Sequence, residues 1–155
     1  MKLVIPFLGK TKSAWIEAGI QDYAARLGRY AQLEMPVLKD PYVHGAPEER
    51  TKELQAQALL AAARGAQLLV TLDAGGMSLN SVELADLWTR WEEQGRTSVA
   101  LLIGGHLGLA QSLLDRASYP LALSSLTFTH EMSRLILLEQ LYRVCTIRAG
   151  HPYHL

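Results

Sequence analysis

A single cysteine in 155 residues excludes an internal disulfide, and with no second cysteine nearby Cys145 cannot begin a CxxC zinc or redox site. It reads as a small buried residue on a helix. No apolar run approaches the ~20 residues needed to cross a bilayer. The short N-terminal run in "MKLVIPFLGKTK" is followed by no small-residue cleavage site, so the expected location is the cytoplasm. Neither sign of charge prevails, since Lys plus Arg and Asp plus Glu each number 15. That balance removes the general positive field of many nucleic-acid binders; any such role must rest on a local patch or on another protein. Internal repeats, low-complexity tracts and linkers are missing too. What remains, 49% apolar and 19% charged residues, is a globular composition. The length fits one domain over 1–155, burying roughly 70% of its unfolded surface.

Hydrophobic spacing predicts strands at 2–8, 32–38, 66–73, 98–105 and 121–128. Helices are predicted at 12–28, 47–64, 80–94, 109–117 and 130–148, the third capped by Asn80 or Ser81. Short strands alternating with helices give an α/β fold with a largely parallel sheet. The Pro- and Gly-marked segment 39–47 is the one long irregular stretch, placed to lie over a site. In the last helix Met132, Leu135, Ile136, Leu137, Leu138, Leu141, Tyr142, Val144 and Cys145 occupy most of the circumference. Such a helix needs two surfaces to bury against. The second is either a partner subunit in a two-fold homodimer or more of its own chain.

Three motifs fall where an open parallel sheet offers a site, at the carboxyl ends of its strands: "TLDAGG" (71–76), "LLIGGHLG" (101–108) and "LALSSLTFTH" (121–130). The glycine segment lacks the Lys and Ser/Thr of a phosphate loop, which disfavours a kinase or ATPase. It also lacks the GxGxxG order and the later acidic residue of a dinucleotide site, Asp73 lying on the preceding strand. Gly104 and Gly105 either turn a strand tightly into a helix or let backbone approach a flat ligand such as adenine. The hydroxyls at 124, 125, 127 and 129 sit in no G-x-S-x-G elbow, so a Ser-His hydrolase is a poor fit; Thr129 with Glu131 suits a helix start. The tail "HPYH" offers two histidines, but Pro152 breaks their spacing and no acidic or Cys partner is near, so no metal is expected. The tail has a composition suited to docking, and Arg134, Arg143 and Arg148 nearby suit phosphate or ordinary solvation.

In combination "MKL", "TLD", "LLIGG", "LSSLTFTH", "EQLYR" and "HPYH" make the chain resemble, over its full length, the SPOUT class of RNA methyltransferases. Within that class it resembles the ribosomal RNA large subunit methyltransferase H family. The departures are local: His106 and Leu107 stand where the family usually reads "IGGPEG", and "THE" at 129–131 replaces "PHP". The resemblance implies a SPOUT-type α/β knot with a C-terminal trefoil knot, homodimeric, with active sites at the subunit interface. It implies S-adenosyl-L-methionine held by Leu72, Gly104, Leu123, Ser124, Ser125, Leu126, Thr127 and Phe128. The implied partner is 23S rRNA in the large subunit or assembled ribosome, and the implied reaction methylates nitrogen 3 of a pseudouridine. The candidate catalytic residues are His154 and His130 as proton acceptors, Tyr153 to orient or stack on the base, and Arg143 to hold phosphate or an anionic base. The competing reading is a non-catalytic ribosome-associated dimer that binds an adenine nucleotide.

Overall fold

The computed structural model describes residues 1–154, the side chain of His154 excepted. Five parallel strands form the main sheet: β1 (Lys2–Val4), β3 (Gln32–Glu34), β5 (Leu68–Ser78), β6 (Ser98–Ile103) and β7 (Tyr119–Ala122), in the spatial order β3-β1-β6-β5-β7. The short strands β2 (Phe7–Leu8) and β4 (Val37–Leu38) pair parallel beside them. Each of the first two strands expected from the sequence is therefore two pieces. Pro6 and Pro36 interrupt them, because a proline has no N–H to give to a ladder. The backbone still bridges the breaks, Ile5 N–H donating to Glu34 O at 2.8 Å and Phe7 N–H to Pro36 O at 2.9 Å.

Helices cover both faces, as a parallel sheet requires. Along β6, Val99, Leu101 and Ile103 point into the core shared with α1 (Ala14–Leu27), α3 (Ser81–Glu93) and α5 (His130–Arg148), while Ala100 and Leu102 point into the core shared with α2 (Glu48–Ala62) and α4 (Gln111–Arg116). The period of two is the strand's own alternation of side chains. Five consecutive residues of β6, Val99 to Ile103, are buried, which makes it the centre of the molecule. α5 packs against α1 and α3 and buries Leu137, Leu138, Leu141, Val144 and Cys145, whereas Met132, Leu135, Ile136 and Tyr142 are only partly covered. Among the described residues no helix is long and apolar enough to cross a membrane.

Helix ends follow local chemistry. Asn80 and not Ser81 caps α3, in a reciprocal box: Glu83 N–H donates to Asn80 Oδ1 at 2.9 Å and Asn80 N–H to Glu83 Oε2 at 2.7 Å. Ser81 instead donates to Gln140 Oε1 at 2.7 Å. The largest correction concerns 121–128, expected as a strand. β7 ends at Ala122, and 123–128 is irregular, with Leu126 N–H donating to Ser124 Oγ at 3.0 Å. The strand instead begins earlier and takes in Pro120, which is tolerated because β7 lies at the sheet edge. Its neighbour β5 is longer than expected, and Leu121 pairs with both Leu72 and Met77. The bulge between them holds Asp73, Ala74, Gly75 and Gly76, and a Cβ on Gly76 would lie 2.7 Å from the carbonyl carbon of Leu121.

Candidate active site

The bulge of β5, the turn after β6 and the segment after β7 converge at the carboxyl ends of the strands and enclose a cavity of ≈ 530 Å³. β5 contributes Leu72, Asp73 and Ala74; the turn contributes Ile103, Gly104, Gly105, His106, Gly108 and Leu109. Leu123, Ser124, Leu126, Thr127 and Phe128 come from the segment after β7, and Thr129, His130 and Ser133 from the start of α5. The volume and the mainly apolar walls with a few polar groups are those of a small-molecule site.

The glycines of the turn are needed for different reasons. A Cβ on Gly104 would lie 2.7 Å from the carbonyl carbon of Gly108, so only glycine lets the two limbs meet there. Gly108 has φ +83°, a left-handed conformation that L side chains rarely adopt. Gly105 is pressed by a side chain, since a Cβ there would lie 2.8 Å from Gln55 Nε2. The turn "IGGHLG" is a tight connection, and its backbone also lines the cavity.

The start of α5 closes one side. Thr129 caps it, accepting from Met132 N–H at 3.2 Å. Glu131 reaches across to accept from Lys12 N–H at 2.6 Å and Ser13 N–H at 3.2 Å, which ties α5 to the entry of α1. These bonds hold its carboxyl below the ordinary carboxylate range. On the glycine turn the exposed His106 ring meets the Tyr42 ring edge-on, centroids 4.6 Å apart. The 39–47 segment thus touches a residue of the cavity wall, although none of its own residues lines the cavity. Partial burial, and then the nearby Arg134 charge, push the His130 imidazole below its usual value, which keeps it neutral and able to accept a proton at neutral pH.

Of the residues expected to hold a cofactor, Leu72, Gly104, Leu123, Ser124, Leu126, Thr127 and Phe128 line this cavity; Ser125 does not, because the chain through 123–128 is irregular and leaves Ser125 exposed outside the wall. The expected catalytic set is divided within one chain. His130 lies in the cavity, while Arg143 stands thirteen residues and about 20 Å further along the axis of α5, and the Tyr153 hydroxyl meets Glu139, nine residues and about 14 Å along it. There Glu139 Oε1 accepts from Arg143 at 2.6 Å and from the Tyr153 hydroxyl at 3.2 Å, and the Tyr153 and Tyr23 hydroxyls lie 3.1 Å apart. Burial, followed by these contacts, drives the Tyr153 phenol far above its usual value, so it stays protonated. The fourth expectation, His154, has its side chain outside the described residues. The tail docks on α5 as expected: Pro152–His154 forms a 3-10 turn, anchored by His151 N–H to Thr146 O at 2.9 Å. Among the described residues no cluster of His, Cys, Asp or Glu is arranged to hold a metal.

Sequence reasoning missed Gln55 and Asp40. Gln55 is buried and donates to Asp40 Oδ1 at 2.9 Å, linking the glycine turn to the 39–47 segment. Only a polar residue on the apolar side of α2 could have signalled it.

The chain is 44% identical to the ribosomal RNA large subunit methyltransferase H of Desulfotalea psychrophila and 41% identical to that of Trichlorobacter lovleyi, each comparison covering 99% of both chains. It is 40% identical, over the same shares, to a protein of Methanoregula boonei named a putative methyltransferase H of the same kind. A solved structure, the SpoU methyltransferase AviRb of Streptomyces viridochromogenes in complex with AdoMet, is 17% identical, with a TM-score of 0.47 over 97% of this chain and 61% of its own. A family model described as predicted SPOUT methyltransferase matches residues 1–154. With that match and full-length relatives at 40% identity or more, the chain belongs to the SPOUT methyltransferase family.

Proposed function

We propose that the protein is an S-adenosylmethionine-dependent rRNA methyltransferase, a single domain over 1–155 that methylates nitrogen 3 of a pseudouridine in 23S rRNA of the large subunit or assembled ribosome. The observation that carries this is the cavity at the ends of β5, β6 and β7, in a chain whose full-length relatives are named for large-subunit rRNA methylation. SPOUT methyltransferases use S-adenosylmethionine, and the residues here fit it. The backbone of Gly104 and the apolar groups of Leu72, Leu123, Leu126 and Phe128 would take a flat adenine, and the hydroxyls of Ser124 and Thr127 its polar edge. Asp73, its Oδ1 bonded to Gly75 N–H at 2.8 Å, keeps its other oxygen for a hydroxyl or an ammonium. When bound, the donor supplies a methyl on a positively charged sulfur.

The chain's own task is to place the base nitrogen in line with that methyl and remove its proton, and good placement is worth up to about 7 to 11 kcal/mol. His130, neutral and at the cavity wall, accepts the proton, with His154 as the second candidate. Arg143 and Tyr153 hold the nucleotide. Because they stand roughly 14 to 20 Å along α5 from His130 in one chain, a homodimer is part of the proposal: Tyr153 of the partner subunit and Arg143 of the partner subunit would complete the site beside the pocket. The C-terminal trefoil knot and a cytoplasmic location belong to the same reading.

Calorimetry with S-adenosylmethionine, followed by primer extension on 23S rRNA from cells lacking the protein, tests it. The expected result is cofactor heat and a lost polymerase stop, since a methyl on nitrogen 3 blocks pairing. The absence of both cofactor heat and a lost stop would favour a non-catalytic ribosome-associated dimer that binds an adenine nucleotide. His154→Ala with unchanged turnover would remove that residue from the mechanism.

A further inference from the structure

α2 buries Thr51, Gln55 and Leu59, one residue per turn along one face. Gln55 is the anomaly among them: an amide 2% exposed, at a position where an apolar side chain would serve the core. Its Nε2 donates to Asp40 Oδ1 at 2.9 Å, and its Oε1 is buried with no partner. An orphan acceptor of this kind lowers stability, so packing alone does not account for the amide. What the amide does touch is the glycine turn. A Cβ on Gly105 would lie 2.8 Å from Gln55 Nε2 and 3.2 Å from its Oε1, so Gln55 fills the place that a side chain at 105 would take. Gly105 lines the cavity; Gln55 does not.

Asp40 holds the other end of the contact. The same Oδ1 that accepts from Gln55 accepts from Tyr42 N–H at 3.0 Å, and the Tyr42 ring meets His106 edge-on. The 39–47 segment is thereby joined to two successive residues of the cavity wall, to Gly105 through Gln55 and to His106 through Tyr42. We propose that Gln55 is a positioning residue for the methyl donor: held by Asp40, its amide keeps the Gly105 backbone from receding, so the glycine turn is already in place when a flat ligand arrives. This rests on the methyl-transfer reading. A wall fixed in advance binds more tightly, because the ligand does not have to order it.

The test is calorimetry with S-adenosylmethionine on the full chain, paired with urea midpoints, for wild type, Gln55→Leu, Asp40→Ala, Asp40→Asn and the Gln55→Leu/Asp40→Ala double variant. Leu removes the orphan acceptor at similar volume, so the urea midpoint should hold or rise. The Kd for the donor should nevertheless rise about fivefold or more. That split is one a merely structural amide would not produce. Asp40→Ala should weaken binding in the same way, whereas Asn, which keeps an oxygen for both N–H donors, should restore it to within about twofold of wild type. The double variant should fall short of the product of the two single losses, because both act through one chain of contacts. Unchanged affinity in either Gln55→Leu or Asp40→Ala overturns the proposal, as does a double variant that shows the full product. Wild type without cofactor heat overturns the methyl-transfer reading and this proposal with it, so the two failures are told apart.

Discussion

Gly104 shows how little freedom the site leaves to one residue. A single methyl there would sit 2.7 Å from a backbone carbon of Gly108, which cannot move aside as a flexible side chain would. Gly104→Ala is expected to cost about 1 to 3 kcal/mol of stability, read from urea midpoints, and to weaken S-adenosylmethionine binding in calorimetry about tenfold or more. Unchanged affinity would mean the turn is not a cofactor wall. Glu131 carries a pH signature: held below its ordinary 4.5 by two backbone N–H groups, it contributes stability above that pH and loses it as pH falls below. Wild type should therefore be more stable than Glu131→Gln at pH 7, and the urea midpoints of the two should converge as the pH falls below 4.5. Cys145, buried, has its thiol pushed up to about 11 by desolvation. It should resist iodoacetamide in the native protein at pH ~8 and react once the chain is unfolded in guanidinium.

At the scale of elements, the spacing of apolar residues located α5 to the residue, because Thr129 at its start and a continuous buried stripe agree. The same reasoning joined β1 to β2 and β3 to β4, since an apolar run does not reveal where Pro6 and Pro36 withdraw an N–H from the ladder. It also read 121–128 as a strand from its apolar and hydroxyl-bearing residues. Leu123, Ser124, Leu126, Thr127 and Phe128 face a cavity and not a neighbouring strand, a distinction that exists only after folding. Asn80→Ala should remove the reciprocal box of α3 at a cost of about 1 kcal/mol, visible as a lower thermal midpoint, while Ser81→Ala should cost less because another residue does the capping.

On the scale of the whole molecule, the pocket was legible because its walls are contiguous motifs: seven of the eight residues named for the cofactor from resemblance line one cavity. The separation of His130 from Arg143 was legible too, since a helix expected over 130–148 puts thirteen residues and about 20 Å between them. The fold-back of the tail, which brings the Tyr153 hydroxyl to Glu139, was not. The spacing along α5 gives a prediction for the assembly. Mixing inactive His130→Ala with inactive Arg143→Ala should restore part of the activity on ribosomes, since a mixed pair of subunits contains one site with both residues intact. Mixtures that stay silent would require one chain to complete its own site.

The glycine turn carries a last consequence. Its path is set at Gly104, Gly105 and Gly108, by close approach and a left-handed backbone, and not by the two residues between them. Positions 106 and 107 are therefore a replaceable panel in a fixed frame. Of the two, His106 lines the cavity, so its exchange should alter the pocket wall while leaving the turn that carries it in place.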